Sequence, residues 1–412
     1  MERNIMQELI QWKNMGSDRM PLVLHGVRQV GKTYILREFG DRFFQNTIYI
    51  NFERMSVIAE YFSGELSPDR IIRLLEEYYS QKIIPDKTLI IFDEIQACER
   101  ALTSLKYFCE EAPEYHIAAA GSLLGVAIHR EKYSFPVGKV IIKTLYPLCF
   151  DEFLHAVGKG YFVNIIKEHC ESMKEISAAA HQELLEWYYR YLFIGGMPAA
   201  VNEYIARESL INVPEVQSLI LNAYMSMPAQ LAKENKKFQY KLIRKGATAG
   251  LFGDSIAWLS FSGVVLPCNR VSRGDAPLIS FRDVSSFKLY LSDVGLLSAF
   301  TEIPPESIIR KELSELYRGS LAENYVAQTL KAKGYELYYW TSDSPVAEVD
   351  FLIQKQGKVI PIEVKSGEHV RAKSLRHFAK MYKSEKVIRL SEKNFGTDGE
   401  ICALPLYAAF CI

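Results

Sequence analysis

Five short apolar runs punctuate the first 150 residues: PLVLHG, NTIYINF, TLIIFD, HIAAAG and KVIIKTL. Between them, stretches such as KTYILREFGDRF and PDRIIRLLEEYYSQ repeat their apolar positions at helical spacing. Buried strands alternating with helices predict a parallel sheet flanked by helices. From PLCFDEFL at 147 to about 232 the pattern is helical, with HQELLEWYYRYLF ending at the turn IGGMP. In 233–300, FGDSIAWLSFSG reads as a helix, and VVLPCNRV and PLISF read as strands joined by the turn SRGDA. SFKLYLSDVGLLSAF reads as a strand followed by a helix capped by Asp293. From about 306 the order is helix, strand, hairpin, helix and further strands. The fold class is α/β, and the expected divisions are 1–150, 151–232, 233–305 and 306–412.

The first motif follows the strand PLVL. His25 to Thr33, HGVRQVGKT, contains G-x-x-x-x-G-K-T and opens the helix KTYILREF. Glycines allow backbone N–H groups to turn inward around phosphate oxygens, and the helix N-terminus adds its positive end. Gly26, Val27, Arg28, Gln29, Val30, Gly31, Lys32, Thr33 and Tyr34 are the candidate nucleotide-binding residues. Lys32 would reach the β- and γ-phosphates, and the Thr33 hydroxyl would bind Mg²⁺. TLIIFDEIQ presents Asp93 and Glu94 at the C-terminal end of a buried strand, where α/β sheets place their ligands. Asp93 would hold Mg²⁺ through water, and Glu94 would act as the catalytic group that polarises the attacking water. HIAAAGSLL ends at Ser122, a candidate for sensing the γ-phosphate or, equally, a helix cap. Arg130, Lys132 and Lys139 are candidate charge-stabilising cations or plain surface residues.

The second motif is the hairpin EVDFLIQKQGKVIPIEVKSG, Glu348 to Gly367. Strand alternation puts Glu348 and Asp350 on one face, and Glu363 and Lys365 on one face. A turn centred between Gln356 and Gly357 sets Asp350 opposite Glu363 and Glu348 opposite Lys365. Two carboxylates about 4 Å apart repel by about 4 kcal/mol at an effective dielectric near 20. A covered face therefore calls for a divalent cation or a protonated carboxyl, whereas a solvated face needs neither. Asp350 and Glu363 as Mg²⁺ ligands, with Glu363 and Lys365 as catalytic groups, would form a phosphodiester hydrolase centre. The preceding helix SLAENYVAQTLKAKG carries Glu323, which either completes the cluster or faces solvent.

Composition narrows the partners. Lys and Arg number 49 against 49 Asp and Glu, so the formal charge is zero and wholesale electrostatic binding of nucleic acid is disfavoured. A local patch remains: KENKKFQYKLIRKG, 233–246, fits a winged-helix module on DNA phosphates and equally a solvated helix face. No apolar run approaches the roughly 20 residues of a membrane span. The amphipathic N-terminus and seven scattered cysteines without a CxxC pair suit a cytoplasmic protein with reduced thiols.

In order along the chain, HGVRQVGKT, LIIFDEIQ, AAGSLLG, TLYPLCFDEFL, FIGGMPAAV, FKLYLSDVGLL and EVDFLI…PIEVKSG resemble one group of prokaryotic AAA-like P-loop ATPases of poorly assigned function. The resemblance spans nearly the whole chain. It implies a P-loop NTPase domain, a helical lid, a central winged-helix region and a C-terminal restriction-endonuclease-like domain. It also implies that Lys32, Thr33, Asp93 and Glu94 serve ATP and Mg²⁺, and that Glu323, Asp350, Glu363 and Lys365 match a helix acid followed by D…ExK. Gly138-Lys139 departs from the Gly-Arg usual at that site, and lysine lacks arginine's planar fork. The expectation is an ATP- and Mg²⁺-dependent switch or small motor. In it, nucleotide state alters how the P-loop domain packs on the 150–230 helices. Its C-terminal domain either cleaves DNA or binds DNA or protein as an inactive scaffold, and the oligomeric state is left open.

Overall fold

The computed structural model describes residues 1–121, 136–222, 259–310, 312–342, 347–367 and 372–412. Ser122, Arg130, Lys132, the basic segment 233–246 and most of FGDSIAWLSFSG lie outside the described residues. Among those described, the chain forms two compact units, 2–146 with 259–263, and 147–222 with 264–412.

The first unit begins with α1 (Ile5–Lys13), β1 (Leu22–His25), α2 (Lys32–Phe43) and β2 (Asn46–Asn51). It continues with α3 (Ser56–Tyr61), α4 (Pro68–Tyr79), β3 (Thr88–Asp93), α5 (Glu99–Glu111), β4 (His116–Ala120) and β5 (Ile141–Thr144). All five expected strands form, and their pairs are parallel in the order β2-β3-β4-β1-β5. Every residue of β3 and β4 is buried, as expected when helices cover both faces of a parallel sheet. Ile48, Ile50, Ile90 and Phe92 pack with Ile71, Leu75, Leu105 and Phe108 from α4 and α5. Ser67 caps α4 through the Arg70 N–H, with Pro68 in the first turn. This core holds the C-terminal ends of β1 and β3 on one edge of the sheet.

The second unit starts with helices: α6 (Phe150–Ala156), α7 (Tyr161–Ser172), α8 (Ala178–Ile194) and α9 (Pro198–Arg207). Next come β6 (Val265–Val271), β7 (Arg282–Leu291), α10 (Val294–Phe300), α11 (Pro305–Ile309) and α12 (Glu315–Ala332). The C-terminal part is β8 (Tyr338–Thr341), β9 (Glu348–Lys355), β10 (Lys358–Val364), α13 (Lys373–Tyr382), β11 (Val387–Ser391), β12 (Gly396–Asp398) and β13 (Ile401–Pro405).

Two expectations change here. PLISF is not a strand: Leu278–Phe281 makes a 3₁₀ turn, and the chain enters β7 only at Arg282. The expected boundary at 305 also falls within one sheet, because β6 pairs in parallel with β8 and the strand order is β12-β13-β11-β10-β9-β8-β6-β7. The β6–β7 hairpin thus shares its hydrogen bonding with the C-terminal strands. Pattern along the chain shows a hairpin but not its long-range neighbour.

The motifs IGGMP and SDVGLL interlock. Asp293 is fully buried and accepts the Gly196 N–H at 2.5 Å and the Leu296 N–H at 3.0 Å, capping α10 as expected. A Cβ on Gly195 would lie 2.2 Å from Asp293 Oδ1, and one on Gly295 would lie 2.4 Å from the Ile194 carbonyl. Both glycines are dictated by this close approach.

Candidate functional site

The residues of the glycine-rich loop stand between β1 and α2. Gly26 has φ +152°, and a Cβ there would lie 2.3 Å from the Leu145 carbonyl. Gln29 (φ 63°) and Gly31 (φ 95°) are also left-handed, so the backbone turns in on itself before α2 begins at Lys32. Val27 and Val30 are buried and anchor the loop, Arg28 is partly buried, and Gln29 and Tyr34 are exposed. Arg3 reaches the Val30 and Tyr146 carbonyls from the N-terminal segment.

Lys32 is buried, and its ammonium donates to the carbonyls of Gly26 and Val27 at 2.8 and 2.9 Å. Burial lowers its pKa to about 8 against the opposing pull of Glu94 and Asp93, with Arg28 lowering it further. Thr33 Oγ1 donates to Asp93 Oδ2 at 2.8 Å, joining the loop to the end of β3. The Tyr49 hydroxyl on β2 donates to the same oxygen at 2.6 Å, and the Glu94 N–H donates to Asp93 Oδ1 at 3.1 Å. Arg37 lies over the Tyr49 ring at 3.8 Å.

Glu94 has φ 49° without being glycine, a strained conformation of the kind that clusters at working sites. Its carboxyl accepts from Gln96 at 2.6 Å. Its pKa is raised, chiefly by burial, with Asp93 and Glu53 adding and Gln96 and Lys32 opposing. A raised carboxyl pKa suits a proton-handling group. Strand β4, which leads to Ser122, lies between β1 and β3.

The residues at the loop are of the kinds that a nucleotide's phosphates require. The loop's glycines leave no Cβ in the turn, and a buried ammonium, a hydroxyl and a carboxylate converge where α2 starts. Tyr49 and Arg37 were missed by sequence reading, since neither lies in a motif. The period-2 pattern of NTIYINF, with Tyr49 two places from the strand's end, was the one available signal. Lys139 pairs with Glu110 at 2.9 Å on the surface. His25, beside the loop, is held neutral by burial and by Lys32, its pKa lowered to about 4.

The second candidate centre lies on the C-terminal sheet. β9 and β10 pair from Lys355–Lys358 to Phe351–Ile362, which sets Asp350 opposite Glu363 as expected. Gln356 and Gly357 make the two-residue turn, both with positive φ. Asp350 and Glu363 are buried. Asp350 Oδ2 accepts the Val364 N–H at 2.7 Å, and Lys365 Nζ lies 2.9 Å from Glu363 Oε1. Burial, then the charge of Glu323, raises the Asp350 pKa to about 7, with Lys365 and the Val364 N–H opposing. Glu363 Oε2 is buried without a hydrogen-bond partner.

One expected pairing is corrected. Glu348 takes Lys288 of β7, at 2.6 Å, rather than Lys365. Lys288 also lies 3.8 Å from Glu323 Oε2, and the Tyr290 hydroxyl donates to that oxygen at 3.0 Å. Glu323 therefore faces Lys288 and Tyr290. Lys288 and Tyr290 were invisible in the sequence because only the β6–β7 pairing brings them to this face. Among the described residues, no group of three or more His, Cys, Asp or Glu stands ready to hold a metal ion. As arranged, Glu323, Glu348 and Glu363 each face a lysine or a tyrosine, Asp350 accepts the Val364 N–H, and the described residues form no Mg²⁺ cage.

Residues 18–154 match the family described as AAA domain. Residues 214–307 and 318–409 match two families described as domains of unknown function, DUF8612 and DUF4143. No curated protein matches the sequence. Similar solved structures include the Walker-type ATPase paby2304 of Pyrococcus abyssi, 14% identical over 73% of this chain and 95% of that one, with TM-score 0.45. The Aeropyrum pernix ORC2 protein is 14% identical over 76% and 95%, with TM-score 0.37. The Aeropyrum pernix ORC1 protein, solved in complex with DNA, is 16% identical over 76% and 95%, with TM-score 0.26. No described helix is long and apolar enough to cross a membrane. With the matched AAA family, the glycine loop and the parallel sheet together, residues 18–154 carry the architecture of an AAA-like P-loop ATPase domain.

Proposed function

We propose that the N-terminal unit binds and hydrolyses ATP, and that the chain uses this turnover as a switch or small motor acting on nucleic acid. The observation that carries the reading is the meeting of Thr33 and Asp93 at 2.8 Å beside a glycine turn that encloses Lys32. Thr33 and Asp93 would hold Mg²⁺, which supplies charge neutralisation on the phosphates. Lys32 would neutralise the β- and γ-phosphates. Glu94 would take the proton of the attacking water, with Gln96 fixing its carboxyl.

The alignment of Asp350, Glu363 and Lys365 on one hairpin supports a restriction-endonuclease-like role for the C-terminal sheet. In this role Lys365 stabilises charge developing on a phosphodiester and Glu363 positions Lys365. The competing role is a scaffold that binds DNA or protein without cutting. ATP turnover by the full chain, with and without duplex DNA and scored beside DNA integrity, separates the two. Cleavage that disappears in Lys365→Ala supports the nuclease role. Turnover with intact DNA under every nucleotide condition supports the scaffold. Absence of turnover in all conditions contradicts the ATPase reading.

A further inference from the structure

Helix α7 buries Phe162, Val163 and Ile166. Residues four apart share a helix face, so Cys170 extends the row of Phe162 and Ile166 into the last turn. The helix packs against the 3₁₀ segment Leu406–Cys411, in which Leu406 to Phe410 are all buried. There the thiols of Cys170 and Cys411 hydrogen-bond to each other, and both residues are partly exposed. Each partner is anchored independently. Asn394 accepts the Ile176 N–H at 3.1 Å and donates to the Ile176 carbonyl at 2.7 Å, fixing the chain just beyond α7. His181 of α8 lies 2.8 Å from the Tyr407 hydroxyl and holds the 3₁₀ segment. The surroundings are mainly cationic: Lys386 acts on Cys170 against Glu171, and Lys333 and Lys167 act on Cys411. The hydrogen bond from Cys411 draws the Cys170 pKa below the ordinary thiol value against burial, with Lys386 assisting. The same contact, and then burial, push Cys411 up. An accessible sulfur that ionises readily beside a second thiol is the arrangement that peroxide oxidation exploits.

We propose that Cys170 and Cys411 are a peroxide-sensitive dithiol that closes to a disulfide between α7 and the 3₁₀ segment. The Cys170 thiolate attacks one oxygen of a hydroperoxide, the O–O bond breaks, and Cys170 becomes a sulfenic acid as hydroxide (or alkoxide) leaves and takes up a proton. The Cys411 sulfur then attacks the sulfenic sulfur, the S–O bond breaks, and the departing hydroxide leaves as water with the Cys411 proton. Two thiols lose two hydrogens and the peroxide is reduced. The sulfurs, already in contact, close to about 2.05 Å without rearrangement of either element.

The test treats the folded full chain with limiting hydrogen peroxide, blocks the remaining thiols in denaturant with N-ethylmaleimide, and maps unreduced peptides by mass spectrometry. The parent should yield one linked pair, Cys170 with Cys411, and two fewer blocked thiols than the seven of the untreated chain, both reversed by dithiothreitol. Cys411→Ser should give no link and should stop at a Cys170 sulfenic acid, captured by dimedone. Cys170→Ser should leave Cys411 uncaptured at the same dose. Alanine replaces serine where circular dichroism finds a serine variant unfolded. Three results overturn the proposal: Cys170 or Cys411 linked instead to another cysteine, Cys170 carried to the sulfinic acid in the parent without a link, or Cys170 and Cys411 oxidised no faster than the other five cysteines.

Discussion

Thr33 and Asp93 lie sixty positions apart in the chain and meet through a 2.8 Å hydrogen bond. The contact depends on the strand order. β1 delivers the loop, β3 delivers the acid, and β4 lies between them, so hydroxyl and carboxylate approach from separate strands. Tyr49 donates to the same carboxylate oxygen at 2.6 Å, leaving Asp93 oriented by three donors once the Glu94 N–H is included.

Tyr49→Phe removes one of those donors and little else. A hydrogen bond to a charged group contributes about 1.5–3 kcal/mol. The variant should therefore lose roughly tenfold in affinity for Mg²⁺-ATP, while affinity for ATP in excess chelator stays unchanged. Calorimetric titration in the two buffers reads the difference. Equal loss in both would mean that Tyr49 supports the fold rather than the metal-facing carboxylate.

Glu94→Gln keeps size and the hydrogen-bonding reach to Gln96 but cannot accept a proton. General-base assistance contributes on the order of 10²–10⁴-fold. ATP turnover should fall by at least about a hundredfold, with nucleotide affinity within about threefold of the parent. Phosphate release under single-turnover conditions checks the first value, and equilibrium binding checks the second.

Nucleotide affinity should depend on pH through Lys32. Burial brings the ammonium's pKa down to about 8, and bound phosphates favour the protonated form. Binding is then at full strength below about pH 8 and weakens above it, by up to about tenfold per pH unit. The sign for stability is the reverse: with the folded pKa below that of free lysine, the unfolded chain holds more protons between the two values, so stability from this group rises with pH there. Titration of a non-hydrolysable ATP analogue from about pH 7 to about pH 9.5 tests the binding trend, and a flat profile contradicts it.

Asp293→Ala should destabilise the second unit by about 3–5 kcal/mol, because it leaves the buried N–H groups of Gly196 and Leu296 unpaired. Asp293→Asn retains an acceptor and should cost about half as much. Denaturant unfolding followed by circular dichroism distinguishes the pair, and equal losses would remove the capping explanation.

Contiguous patterns were legible and distant pairings were not. The five strands of the first unit were readable because each is a short apolar run ending in a turn, and the P-loop because its chemistry is local. The Asp350–Glu363 register followed from a two-residue turn, which leaves strand pairing no freedom to slip. PLISF misled because apolar content within a turn mimics a strand end. Lys288 and Tyr290 reach the acidic face only through β6–β7 and β6–β8 pairing, and no local spacing encodes that sheet order. Tyr49 escaped for the same reason: its role comes from the alignment of β2 with β3, which sets Asn51 beside Asp93.

In the proposed ATPase, the turn from Gly26 to Thr33 holds a triphosphate through Lys32. Calorimetric titration of Mg²⁺-ATP into the parent chain and Lys32→Ala, with both folds verified by circular dichroism, tests it most directly. A saturable one-to-one isotherm for the parent, weakened at least about a hundredfold in the variant, is the predicted result. Unchanged affinity in Lys32→Ala would rule out Lys32 as a phosphate-binding residue and with it the proposed use of the turn.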